Sequence, residues 1–134
     1  MRKIIYKLFV EGEPKAQPRP RKGKYGNFYN PDTTDAWKEA IQINFLTQRK
    51  PMITGPVILT ATFFFHKVTG LHGQIVPHTV KPDADNLIKP VKDCLTQIGV
   101  YKDDSQVFDE HPTKYWTQGK SGMEIMIEVE EDAL

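Results

Sequence analysis

The residues best suited to chemistry lie in the stretch KPDADNLIKPVKDCLTQIGVYKDDSQV, residues 81 to 107. Asp83 and Asp85 stand two apart, Asp93 follows, and the adjacent pair Asp103 and Asp104 closes the run; Lys89 lies one turn beyond Asp85. Carboxylates gathered this densely repel one another, and their pKa values rise. A hard divalent cation removes that cost, since Mg²⁺ takes oxygen ligands and is commonly held by a few carboxylates plus waters. Such an ion polarises a phosphate, lowers the pKa of a water and stabilises the charge of phosphoryl transfer. Lys89 would then steady a leaving or non-bridging oxygen, or orient the nucleophile. The competing reading is a solvated helix with i, i+4 ion pairs and an acidic cap. Spacing alone leaves both open.

The elements that must position these groups follow from periodicity. Residues 85 to 98 predict a helix that Gly99 ends as its C′ residue. At 100° per residue Leu87, Val91, Leu95 and Ile98 share one apolar sector, while Asp85, Lys89 and Asp93 form a stripe nearly opposite. Pro90 removes a backbone donor and clashes one turn back, so an irregular start or a kink is expected. Asp83 or Asp85 is the candidate N-cap, and Cys94 reads as a small buried hydrophobe. Elsewhere, residues 3 to 10 predict a strand and residues 32 to 49 a helix. That helix is capped by Asp32, Thr33 or Thr34 and carries Trp37, Ile41 and Phe45 on one face. "VILTATFFFH" predicts a strand, residues 67 to 81 a loop, and residues 107 to 117 and 123 to 129 two further strands with "QGKSG" as the hairpin turn between them. "KYGNFYNP" reads as a short hairpin or loop. The order strand, helix, strand, helix, strand, strand implies an α/β protein of the α+β kind, a mixed β-sheet packed with two main helices. At 134 residues it is read as one domain, 1–134.

The run Lys81-Pro82-Asp83-x-Asp85-Asn86-Leu87-x-Lys89, then Asp93, then Asp103-Asp104-Ser105-Gln106-Val107, resembles the signature of RusA-type Holliday-junction resolvases. The resemblance implies a homodimeric, Mg²⁺-dependent endodeoxyribonuclease, with Mn²⁺ as a substitute, acting in DNA recombination and repair. Such an enzyme cuts four-way DNA by paired symmetric nicks that a ligase can seal. By that resemblance the metal-binding acids are Asp83, Asp85 and Asp104, and the catalytic lysine is Lys89. Asp103 is an auxiliary ligand or orienting group, while Asn86 and Asp93 support or cap. Association with prophages is implied in the same way. The segment after the first strand, "PKAQPRPRKGKYGNFYN", keeps the basic character of the family but not its Asn-Arg pattern. Two other functions fit the same residues less well: a junction-binding protein without cleavage, and a phosphohydrolase acting on a small phosphate ester.

Composition sets further bounds. The net charge of +1 is no nucleic-acid signal, but Lys15, Arg19, Arg21, Lys22 and Lys24 fall together without an acid, a candidate phosphate-contacting surface. Tyr25, Phe28 and Tyr29 follow as candidates for stacking on exposed bases. No apolar run is long enough for a membrane span. The start, "MRKIIYKLFVEGE", lacks the apolar region of a signal peptide, and a single cysteine excludes an internal disulfide, so the cytoplasm is expected. His66, His72, His78 and His111 lack the spacing of a zinc site and are read as loop or DNA-facing residues. Tyr115 and Trp116 are read as core or interface. Phe63, Phe64 and Phe65 place aromatics on both faces of their strand, which suits either a core on both sides or a dimer surface.

Overall fold

The structure, a computed structural model, describes residues 1–17, 21–22, 28–29 and 35–131, with backbone alone at 21–22 and 28–29. Its elements are β1 (Arg2–Glu11), β2 (Arg21–Lys22), β3 (Phe28–Tyr29), α1 (Asp35–Leu46), β4 (Val57–His66), β5 (Val76–Pro77), α2 (Ala84–Gln97), a 3-10 turn (Asp104–Gln106), β6 (Val107–Thr117) and β7 (Gly122–Glu130). The five-stranded sheet has the order β1-β7-β4-β6-β5, and β2 pairs with β3 apart from it. β4 and β6 run parallel and the other pairs antiparallel, which makes the sheet mixed. The expected cap of α1 at Asp32, Thr33 or Thr34 lies outside the described residues, as do Arg19, Lys24 and Tyr25 and the side chains of Arg21, Lys22, Phe28 and Tyr29.

One expectation is corrected. "QGKSG" reverses the chain but does not make a hairpin: β7 pairs with β1 and β4, while β6 lies on the other side of β4. Turn composition reports a reversal, not the strand beside which the chain returns. β7 carries Met123, Ile125, Ile127 and Val129 towards the core, and a central slot buries that apolar face more completely than an edge would.

Both helices pack on one face of the sheet. Trp37, Ile41 and Phe45 of α1 meet Leu87, Val91 and Leu95 of α2 over Leu59, Ala61 and Phe63 of β4 and the inward face of β7. Phe64 points to the opposite face, where its ring stacks on Tyr115 at 6.2 Å. Phe65 returns to the helix-covered face and meets His78 and Trp116.

α2 runs through Pro90 without a break, because burial outweighs the proline. A proline inside a helix costs about 3 kcal/mol, whereas fully burying a leucine, isoleucine or valine stabilises by roughly 1.5–3 kcal/mol each, and α2 buries Leu87, Ile88, Val91 and Leu95. At its end the amide of Val100 donates to the Leu95 carbonyl at 3.0 Å, and Gly99 takes a φ of +78°, as expected for a C′ glycine.

Candidate active site

Asp83 is the N-cap residue of α2, with extended backbone angles, yet its side chain makes no capping hydrogen bond. Asp85 lies in the first turn, and both carboxylates are exposed. Lys89 is exposed one turn further on. Among the described residues, no hydrogen bond or ion pair engages the side chains of Asp83, Asp85 or Lys89, whereas Lys92 is spent on Glu110 at 3.1 Å. Among the described residues, neither carboxylate is used within the fold.

The turn ahead of this pair is held from β6. Lys114 donates its ammonium to the Val80 carbonyl at 2.5 Å and to the Pro82 carbonyl at 2.7 Å. The N-terminal segment is tied to the same place: the Gln17 amide donates to the Asn86 carbonyl at 2.8 Å. That carbonyl would normally accept from residue 90, but residue 90 is proline and has no N–H. Pro90 therefore leaves an acceptor that ties Gln17, and with it the described end of the N-terminal segment, to the start of α2. Lys15 sits in this segment, paired with Glu13 at 3.4 Å.

Asp104 stands at the other end of α2. The Thr96 hydroxyl hydrogen-bonds its carboxylate. Its neighbour Asp103 caps the 3-10 turn: its side chain accepts from the Ser105 amide at 2.9 Å, and that bond above all holds its carboxyl below the usual range. Gln106 completes the box, accepting from the Asp103 amide at 3.0 Å and donating to the carbonyls of Ile53 and Gly55 at 3.0 and 2.9 Å. Asp103 thus fixes the turn that presents Asp104. Tyr101 packs beneath, its hydroxyl donating to the Lys92 carbonyl at 3.1 Å. Burial, then the charge of Asp104, and after it those of Asp93 and Glu110, push its phenol far above the ordinary value. Cys94 is buried, as expected, and burial raises its thiol to about 11.

Asp83 and Asp85 both stand at the start of α2, and Asp104 docks at its other end. From Asp85 to Thr96, where Asp104 docks, the helix rises about 16 Å. Among the described residues, no group of three or more acidic, histidine or cysteine side chains is arranged to hold a metal ion. The Asp83–Asp85 pair does fit a divalent cation of the Mg²⁺ kind, which needs only one or two carboxylates and fills its other positions with water. Of the histidines, His66 is exposed with its Nδ1 3.0 Å from the Gly119 carbonyl, and His111 pairs with Asp109 at 2.8 Å on β6. His78 is buried rather than surface-facing. No helix is long and apolar enough to cross a membrane. Sequence reasoning missed Lys114, Thr96 and the Gln17–Asn86 tie.

The family described as Endodeoxyribonuclease RusA matches residues 11–128. The chain is 34% identical to "Uncharacterized protein YqaN" of Bacillus subtilis (strain 168), over 90% of this chain and 94% of that protein. It is also 38% identical to "Crossover junction endodeoxyribonuclease RusA" of Aquifex aeolicus (strain VF5), over 40% of this chain and 42% of that protein. The mixed five-stranded sheet with two helices on one face and outward acids at a helix start is thus that of an endodeoxyribonuclease class of protein. The chain belongs to the RusA endodeoxyribonuclease family.

Proposed function

We propose that this protein is a structure-specific endodeoxyribonuclease that resolves four-way DNA junctions by paired, symmetric nicks, in recombination and repair of host or prophage DNA in the cytoplasm. The observation that carries the reading is the pair of unpartnered carboxylates, Asp83 and Asp85, at the start of α2 in a chain of this family. These two would hold a divalent ion, Mg²⁺ with Mn²⁺ as substitute; when bound it supplies a polarised phosphate and an activated water. Lys89, on the same outward stripe, meets the negative charge of the phosphate. Lys114 fixes the turn that presents Asp83. Lys15, Arg19, Arg21, Lys22 and Lys24 contact flanking phosphates, and the tie of Gln17 to Asn86 places the start of that run next to the acids.

Asp104 reaches an ion held by Asp83 and Asp85 only from a second copy, because one helix length separates them within a chain. A two-fold homodimer supplies that copy and, with it, two sites for two cuts. The deciding assay offers a four-way junction, a linear duplex and a nucleotide to the protein, with Mg²⁺ and with chelator. The junction alone is expected to be cut, and only with the ion. Asp83→Asn is expected to lose cleavage at least a hundredfold while binding the junction as the parent does. Cleavage by Asp83→Asn at the parental rate overturns the site. Hydrolysis of the nucleotide without junction cleavage makes the protein a phosphohydrolase, and tight junction binding without cleavage makes it a binding protein.

A further inference from the structure

A cavity of about 570 Å³ opens beside the acid pair, with Lys15, Phe65, His78, Lys81, Pro82 and Trp116 in its wall. Lys81 and Pro82 in its wall lead directly into Asp83. Its floor is aromatic. The His78 ring stacks on Trp116 at 4.0 Å and 29°, Phe65 meets His78 at 4.7 Å, and Phe65 stands edge-on to Trp116 at 6.2 Å. The exposed Lys67 places its ammonium over Trp116, 5.3 Å from the ring centroid. Lys15 and Lys81 add positive charge at the rim, against one carboxylate, Glu13. His78 is 4% exposed, and its Nδ1 is buried with no hydrogen-bond partner among the described residues. Burial first, and then the charge of Lys114, hold its pKa below the ordinary value.

We infer that this cavity is a subsite for an unpaired nucleobase of single-stranded DNA, displaced next to the phosphate that the acid pair addresses. An unpaired nucleotide offers the π-face of its base for the aromatic floor, the polar edge of that base for His78, and its phosphate for the lysine rim. A duplex offers its phosphates but keeps its base faces stacked and its pairing edges occupied, so the subsite reads an opened branch point rather than linear DNA. Its place in the reaction rests on the nuclease reading; its ability to bind does not.

The test uses the full chain in chelator, with an oligothymidine of about a dozen nucleotides as probe and a blunt duplex of the same length as control. Of the two tryptophans, Trp37 is 2% exposed, so a base stacking in the cavity quenches Trp116. The single strand is expected to quench the emission and to bind more tightly than the duplex. Trp116→Leu should weaken that binding about tenfold, the loss of one stacked base, and Trp116→Phe should keep most of the affinity. Lys67→Ala, a surface change that leaves the fold intact, should weaken it about threefold. Parental affinity in both Trp116→Leu and Lys67→Ala, or equal affinity for single strand and duplex, overturns the subsite; if Trp116→Leu fails to fold, Lys67→Ala decides. Junction cleavage by the parent with Mg²⁺ is scored separately. Intact cleavage with unchanged variants removes the subsite alone, and binding as described without any cleavage removes the nuclease reading alone.

Discussion

The ammonium of Lys114 bonds two carbonyls of the turn that leads into Asp83 and touches neither carboxylate. It is a positioning residue: it sets where Asp83 sits, not what Asp83 binds. Hydrogen bonds from a charged group are worth roughly 1.5–3 kcal/mol each, so losing two lets the turn, and the first acid with it, wander. Lys114→Ala is expected to lower junction cleavage about tenfold or more at saturating Mg²⁺ with little change in junction affinity, and Lys114→Arg to restore part of the rate. A loss confined to affinity would show that Lys114 contacts DNA instead. Legibility differs sharply among the residues of the site. Asp83, Asp85, Lys89 and Asp104 could be proposed from the sequence because they fall in one contiguous block with characteristic gaps. Lys114 could not, because its partners are main-chain carbonyls of a distant turn, which leave no mark in the sequence. Asp103 could be read as an auxiliary ligand or as an orienting group, because an acid next to an acid reads the same either way in sequence; its bonds with Ser105 and Gln106 tie it to the turn.

At the scale of elements, α2 shows how a local defect becomes a connection. Its apolar sector, its outward stripe and its glycine stop were all legible, since each follows from 3.6-residue periodicity and capping chemistry. Pro90 was legible only as a defect. That the freed Asn86 carbonyl accepts from Gln17 is a long-range fact, set by how residues 13–17 cross the start of α2. The same limit explains β7, whose existence periodicity gives and whose slot between β1 and β4 it does not. Pro90→Ala tests the connection. Alanine restores an amide that competes for Asn86, so the Gln17 amide should exchange with solvent several-fold faster. Junction affinity should fall a few-fold as the basic segment loosens, while the melting temperature holds or rises because the helix loses its worst residue. An unchanged Gln17 exchange rate would mean that Asn86 serves both donors and that the proline is incidental.

The whole molecule adds a constraint that no single element carries. Two ligands of one Mg²⁺ each sit about 2 Å from it, so carboxylates separated by about 16 Å of helix cannot share an ion. Asp104 enters the site of its own chain only if α2 bends, and otherwise enters that of a second copy. In the second case an isologous dimer pairs Asp83 and Asp85 of one chain with Asp104 of the other, twice. The two arrangements differ in a mixed dimer of Asp83→Asn and Asp104→Asn chains, each inactive alone. If every site is built within one chain, both sites of the mixed dimer carry a lesion and no cleavage returns. If the sites are shared, one site collects both lesions and the other is intact. The mixture is then expected to nick one strand of a four-way junction at about half the parental rate per dimer, without the paired second cut. Co-purified mixed dimers that leave the junction whole would place Asp104 in the site of its own chain, and α2 would then have to bend to bring it there.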